Sequence, residues 1–114
     1  EVFPFLEVLA ELNDVKVKPL VKRFEALKGK ELGNFDVVVG SDVCFWDNMV
    51  KPLSRFINRA LKNGVKRVVI TDPGRPTFYE LCDLVRKKHR VELSEWYATE
   101  PNHTSGEVVE IRPR

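Results

Sequence analysis

Two carboxylates, Asp42 and Asp72, stand directly behind apolar runs, in FDVVVGSDVCFW and VKRVVITDPGRP. A buried strand that ends on an acid delivers that acid to the rim of a sheet. There an aspartate can bind a cation, accept hydrogen bonds from hydroxyls or take up a proton. Either aspartate alone is equally a turn former or a helix cap. The pair, accompanied by Phe45, Trp46 and Arg75, favours a site over two unrelated turns. Trp46 follows its strand by several residues and precedes charged Asp47, which places it at a pocket mouth rather than in the core.

Other reactive side chains carry less. His89 sits in a basic RKKHR stretch and His103 in the polar EPNHTS loop, neither with a carboxylate or cysteine at ligand spacing. Both are expected to be solvated, and no metal site is expected. RKKHR itself fits a helix end, where cations complement the dipole, better than a phosphate-binding patch. Cys44 and Cys82 lie in apolar contexts and form no CxxC, so a reduced, cytoplasmic setting is the simplest reading. No Ser-His-Asp set and no P-loop is present.

The chain has 114 residues, enough for one domain, with 43% hydrophobic and 32% charged residues, an ordinary soluble composition. Its 19 basic and 17 acidic residues are dispersed and leave a net charge of +2, so nucleic acid is not an expected partner. No membrane association is expected either, because no apolar run reaches spanning length and no signal peptide is visible.

The elements that must position the aspartates follow from periodicity. PFLEVLAEL sets Phe5, Leu6, Val8, Leu9 and Leu12 on one side of a helix. VKVKPLV alternates like a short strand, with Pro19 suited to an edge or an exit. RFEALKGKELGN is a turn-rich connection with one helical turn. FDVVVG is apolar on both faces, as in a parallel strand covered by helices on each side. Residues 48–62 repeat apolar positions at three-four spacing and stop at Asn63-Gly64. VKRVVIT is a second buried strand, DPGRP a turn, and PTFYELCDLVRKKH a helix facing Phe78, Leu81, Cys82 and Val85 inward. RVELSEWYAT and GEVVEIRP close the chain as an antiparallel pair. This order predicts an open α/β sheet, mostly parallel, with one reversed strand from a C-terminal hairpin. In such sheets ligands bind beyond the carboxyl ends of the parallel strands, where Asp42 and Asp72 fall.

These stretches resemble a family. FDVVVGSDVCFWDNMVKPL is similar to the fourth-strand region of seven-stranded, class I S-adenosylmethionine-dependent methyltransferases, closest to small protein-lysine methyltransferases with an Asp-x-x-Tyr signature. VKRVVITDPGRPTF resembles the fifth strand and its turn in that branch, where Asp-Pro-Gly-Arg occurs in relatives that methylate the electron-transfer flavoprotein beta subunit. Glu1 and FPFLEVLAELNDVKV resemble the acidic end of the second strand and the helix that follows. The resemblance covers nearly the whole chain, with two departures. Phe45 replaces the signature tyrosine, so a hydroxyl is missing. The first strand and its glycine-rich turn, which cradles the methionine part of the cofactor, have no counterpart among the six glycines.

The resemblance implies a Rossmann-like methyltransferase sheet in its C-terminal portion, using S-adenosylmethionine. Asp42 is the implied catalytic group. Cofactor binding falls to Gly40, Ser41 and Asp42, to Glu1 through the ribose hydroxyls, and to Phe24 and Glu25 near the adenine. Phe45, Trp46, Asp72, Arg75 and Tyr79 are the implied substrate side, for a protein lysine or a small amine. In the family's sheet the absent strands lie between the third and fourth, which would leave VKVKPLV without a neighbour and FDVVV with a raw apolar edge. Either the chain is the C-terminal part of a longer protein or a homodimer supplies the gap from another copy; the abrupt opening helix favours the former. Two other classes remain open. One is a non-catalytic methyltransferase-like interaction module working through its sheet edge; the other, which the hairpin and DVCFW do not suggest, is a dinucleotide-dependent oxidoreductase.

Overall fold

A computed structural model describes residues 3–20, 22–44 and 46–114. Helix α1 (Phe3–Leu12) opens the chain. A 3-10 turn (Phe24–Ala26) and a one-turn helix α2 (Gly29–Leu32) lead into strand β1 (Val37–Ser41). A second 3-10 turn (Asp47–Met49) then opens α3 (Val50–Lys62), followed by β2 (Arg67–Asp72) and α4 (Pro76–Arg86). The hairpin β3 (His89–Ala98) and β4 (Thr104–Pro113) ends the chain.

The four strands form one sheet in the order β1-β2-β4-β3. β1 and β2 are parallel and joined through α3, with Val37 opposite Arg67 and Ser41 opposite Thr71. β4 runs antiparallel to both of its neighbours, β2 and β3. The expectation of a mostly parallel sheet is therefore corrected. One pairing is parallel and two are antiparallel, because the reversed β4 inserts between β2 and β3 rather than lying outside them.

The core lies on one face. The row Val68, Ile111 and its alternating mates Ile70 and Val109 is buried beneath α3 and α4. α3 contributes Leu53, Phe56, Ile57, Ala60 and Leu61 at the expected three-four spacing, and Gly64, at φ 111°, ends it in the left-handed region. Pro76 opens α4, whose Phe78, Leu81, Cys82 and Val85 close the same core. Phe24 packs edge-to-face on Phe56 with ring centroids 5.7 Å apart. The Arg59 guanidinium donates to the carbonyls of Phe24 (3.1 Å) and Leu27 (3.3 Å), clamping that connection onto α3.

Three further expectations are corrected. Residues 15–20 form no strand. An extended segment needs a neighbouring strand for its backbone N–H and C=O groups, and no strand among the described residues pairs with it. The apolar stripe of α1 is not buried, since Phe5, Val8, Leu9 and Leu12 are all exposed. Helices do not cover both faces of β1, because α3 and α4 lie on the same side; Val39 is left 74% exposed on the open face. The raw apolar edge, by contrast, is present. β1 is an edge strand, and Phe35, Val37 and Val39 face solvent.

Candidate functional site

The parallel pair brings the two aspartates together. Ser41 and Thr71 are register partners, the Thr71 hydroxyl donates to Ser41 Oγ at 3.0 Å, and the Asp42 N–H donates to the Thr71 carbonyl at 3.0 Å. Asp42 then turns the chain off the sheet at φ 60°, a left-handed conformation that Asp tolerates better than most residues.

Asp72 is held differently. It is 4% exposed, and its Oδ2 accepts from the backbone N–H groups of both Gly74 and Arg75 at 2.9 Å. This ties the turn ahead of α4, whose N-cap is Arg75. Gly74 is required there: its φ is 113°, and a Cβ would meet the Tyr79 hydroxyl at 3.3 Å. The Arg75 guanidinium lies 3.4 Å from Asp72 Oδ1 and bonds Asp42 Oδ1 with its other amino group. One arginine thus brackets both strand-end carboxylates. Asp42, with its side chain half exposed, keeps acceptor capacity toward the adjoining cavity.

That cavity has a volume of about 520 Å³ and is bounded by Ser41, Asp42, Thr71 and Asp72 on one side and by Trp96, Tyr97 and Glu107 of the hairpin on the other. A smaller apolar cavity of about 160 Å³ lies beside β1, lined by Phe24, Val39, Gly40, Val43 and Phe56. Phe24 and Gly40 therefore meet in one slot, and Ser41, Asp42 and Asp72 in the other. Glu25 is exposed and borders neither. Trp46 is 69% exposed and does not line the strand-end cavity; its place is the start of the 3-10 turn, where its carbonyl accepts from Met49. Glu1 and Phe45 lie outside the described residues.

Tyr79 stands over the Gly74 turn. Its phenol is pushed above its ordinary pKa by desolvation first and then by the nearby Glu107 carboxylate. The Cys44 carbonyl accepts from the Thr77 hydroxyl, tying the loop after β1 to the first turn of α4. Burial is the main reason that the Cys44 and Cys82 thiols are pushed up to about 11, so neither is a ready nucleophile. His89 is part-buried against Asn58 (2.7 Å) at the far end of the sheet, not solvated as expected. Among the described residues no group of three or more His, Cys, Asp or Glu is arranged to hold a metal ion, and no helix is long and apolar enough to cross a membrane.

Trp96, Tyr97 and Glu107 were absent from the residues expected at the site. Their only sequence signal is a pair of aromatics late in an alternating strand, just before a loop. The hairpin's position beside β2 is what makes them neighbours of Asp72. Neither protein-family models nor curated proteins compared with the chain give a match.

Proposed function

We propose that the chain is part of an S-adenosylmethionine-dependent methyltransferase of the class I type, transferring methyl to a protein lysine or a similar amine. The observation that carries this reading is the meeting of Asp42 and Asp72 at the carboxyl ends of two adjacent parallel strands, bracketed by Arg75 and bordering an open cavity. The reversed strand beside β2 accords with a methyltransferase-like sheet in its C-terminal portion.

The residues present fit two parts of the cofactor. The apolar slot at Phe24, Val39 and Gly40 suits a flat heterocycle, and the Ser41 hydroxyl with the Asp42 carboxylate suits a polar, cationic centre. The cofactor supplies an electrophilic methyl group when bound. The chain's task is to hold the amine in line and exclude water. Asp42 first binds the ammonium form, and its carboxylate orients the nitrogen as the proton leaves to solvent. Trp96 and Tyr97 form the apolar wall that steadies the alkyl stem. Arg75 fixes Asp42, while Asp72 acts through the turn it closes and is a positioning residue.

Backbone NMR titration with millimolar S-adenosylmethionine tests this. Saturable shifts confined to Gly40, Ser41, Asp42 and the Phe24 turn are expected, and they should vanish in Asp42→Asn. No shifts, or shifts centred elsewhere, would refute the reading. The bare valine edge of β1 favours a second reading, an interaction module that binds through that edge without cofactor. Under it, shifts on adding the cofactor should be absent.

A further inference from the structure

The chain's two tryptophans and two tyrosines all lie toward one end of the sheet. Trp96 and Tyr97 border the strand-end cavity, Tyr79 stands over the turn after β2, and Trp46 follows the loop after β1. All four are exposed, from 39% for Tyr79 to 73% for Tyr97. Single exposed aromatics are ordinary, but Trp and Tyr gathered at one rim have the composition of a protein interface.

Charge sorts along the same axis. Residues 93–109 contain three glutamates, Glu95, Glu100 and Glu107, and no lysine or arginine, in a chain of net charge +2. Glu92 and Glu110 lie toward the opposite end, where Glu110 pairs with Arg67 and Arg112. The opposite end of the sheet carries Arg90 paired with Arg112, Arg67 at the start of β2, and Lys87 and Lys88 after α4. On the aromatic rim, Asp72, Glu107 and Glu95 stand in register across β2, β4 and β3. Asp72 is answered by Arg75. Glu95 accepts from the Tyr97 hydroxyl (2.6 Å) and Glu107 lies beside Tyr79, and no ion pair reaches either carboxylate among the described residues. Like charges directly opposite on a sheet repel, and a cation laid between them relieves that repulsion.

We propose that this rim, formed by Trp96, Tyr97, Glu95, Glu107, Tyr79 and Asp42, is a docking surface for a basic, extended segment of a partner protein. The carboxylates select positive charge and the aromatic faces pack the aliphatic stems of lysine or arginine. Among the described residues no strand pairs with the outer edge of β3, which leaves backbone groups to align an extended chain. This goes beyond methyl transfer: the surface binds its partner without any methyl donor.

The test uses the full chain carrying Trp46→Phe, a change at an exposed position that makes Trp96 the sole indole. A synthetic peptide of alternating lysine and serine is titrated while Trp96 emission is followed, with a glutamate-serine peptide as control. A saturable change with the basic peptide alone is expected, weakened about tenfold by Glu95→Gln with Glu107→Gln and weakened by added salt. The salt response gives a second readout should the double variant fold poorly. Equal response to both peptides, salt-independent binding, or unchanged affinity in a folded double variant would overturn the proposal. So would sedimentation showing that the rim is instead filled by the basic end of a second copy. Because no methyl donor is present, failure here leaves the methyl-transfer reading to its own test.

Discussion

Asp42 and Asp72 are interchangeable as sequence but not as structure, and separating them gives a quantitative test. Asp72→Ala removes a buried carboxylate that accepts two backbone N–H bonds at 2.9 Å and holds one side of Arg75. Each bond to a charged acceptor contributes about 1.5 kcal/mol or more, and the loss strands two N–H groups and removes one of the carboxylates that hold the Arg75 guanidinium. The expected loss is about 3–5 kcal/mol, which for a domain of this size lowers Tm by about 10–20 °C. Asp42→Asn changes a half-exposed ion pair, with side chains 27% and 49% accessible for Arg75 and Asp42, and such pairs contribute about 0–1 kcal/mol. Asparagine also tolerates φ 60°, so the backbone is not penalised. Its expected Tm change is below about 4 °C.

Thermal melts followed by circular dichroism read stability, and NMR titration with S-adenosylmethionine reads the site. Asp72→Ala should melt early. Asp42→Asn should melt almost normally and lose the cofactor-induced shifts at Gly40 and Ser41. If both variants melt alike, or if Asp72→Ala melts within about 3 °C of the unaltered chain, the division between a positioning and a functional carboxylate is wrong.

Three further outcomes follow from burial, titration and edge exposure. Cys44 and Cys82, both buried with thiols pushed up to about 11, should resist a disulfide reagent at neutral pH and react together once urea unfolds the chain; prompt labelling of the folded protein would contradict their burial. The pKa of His89 is lowered from 6.5, by burial first and then by Lys88 and Arg114, so folding favours its neutral form. That contribution is complete above 6.5 and declines as the pH falls through 6.5 toward the lower folded value; His89→Gln should flatten the Tm-against-pH curve there. Val39→Lys, at a position 74% exposed, should leave Tm within about 2 °C and reduce concentration-dependent light scattering, whereas a large Tm loss would mean the edge is not bare.

The legible elements were those whose pattern is answered inside the chain. The three-four spacing of α3 and α4 meets the buried rows of β2 and β4, so both helices and both strands fall where periodicity puts them. Where the partner was missing, local pattern misled. VKVKPL alternates like a strand but joins no ladder among the described residues, and pairing rather than propensity decides strand formation. Three consecutive valines read as buried on both faces, yet a residue's type cannot report whether a second layer of helices exists. The two aspartates were legible because a strand's last residue needs no tertiary knowledge to be placed. Arg75's bridge and the approach of Trp96 were not, since they depend on a turn's curvature and on β4 inserting beside β2. Trp46 shows the reverse error: charge beside it marked exposure correctly, but exposure did not bring it to the cavity.

The open face of the sheet links its two unfinished features. Val39 and Ser41 alternate onto the same side of β1, opposite Val69 and Thr71 of β2. On β4 that face also carries Glu110, which bonds Arg67 (2.9 Å) and Arg112 (3.1 Å) and is at ease in water. The valine half is not, whereas Ser41 and Thr71, one step further along the same two strands, already border the strand-end cavity. Any layer laid over Val39 and Val69 must therefore also approach Ser41 and Thr71, because side chains two residues apart on a strand stand only about 7 Å from each other. Covering the apolar edge and walling the cavity are consequently coupled in this fold: the same contact that removes the valines from water would lower the dielectric around Asp42 and strengthen its hold on a cation.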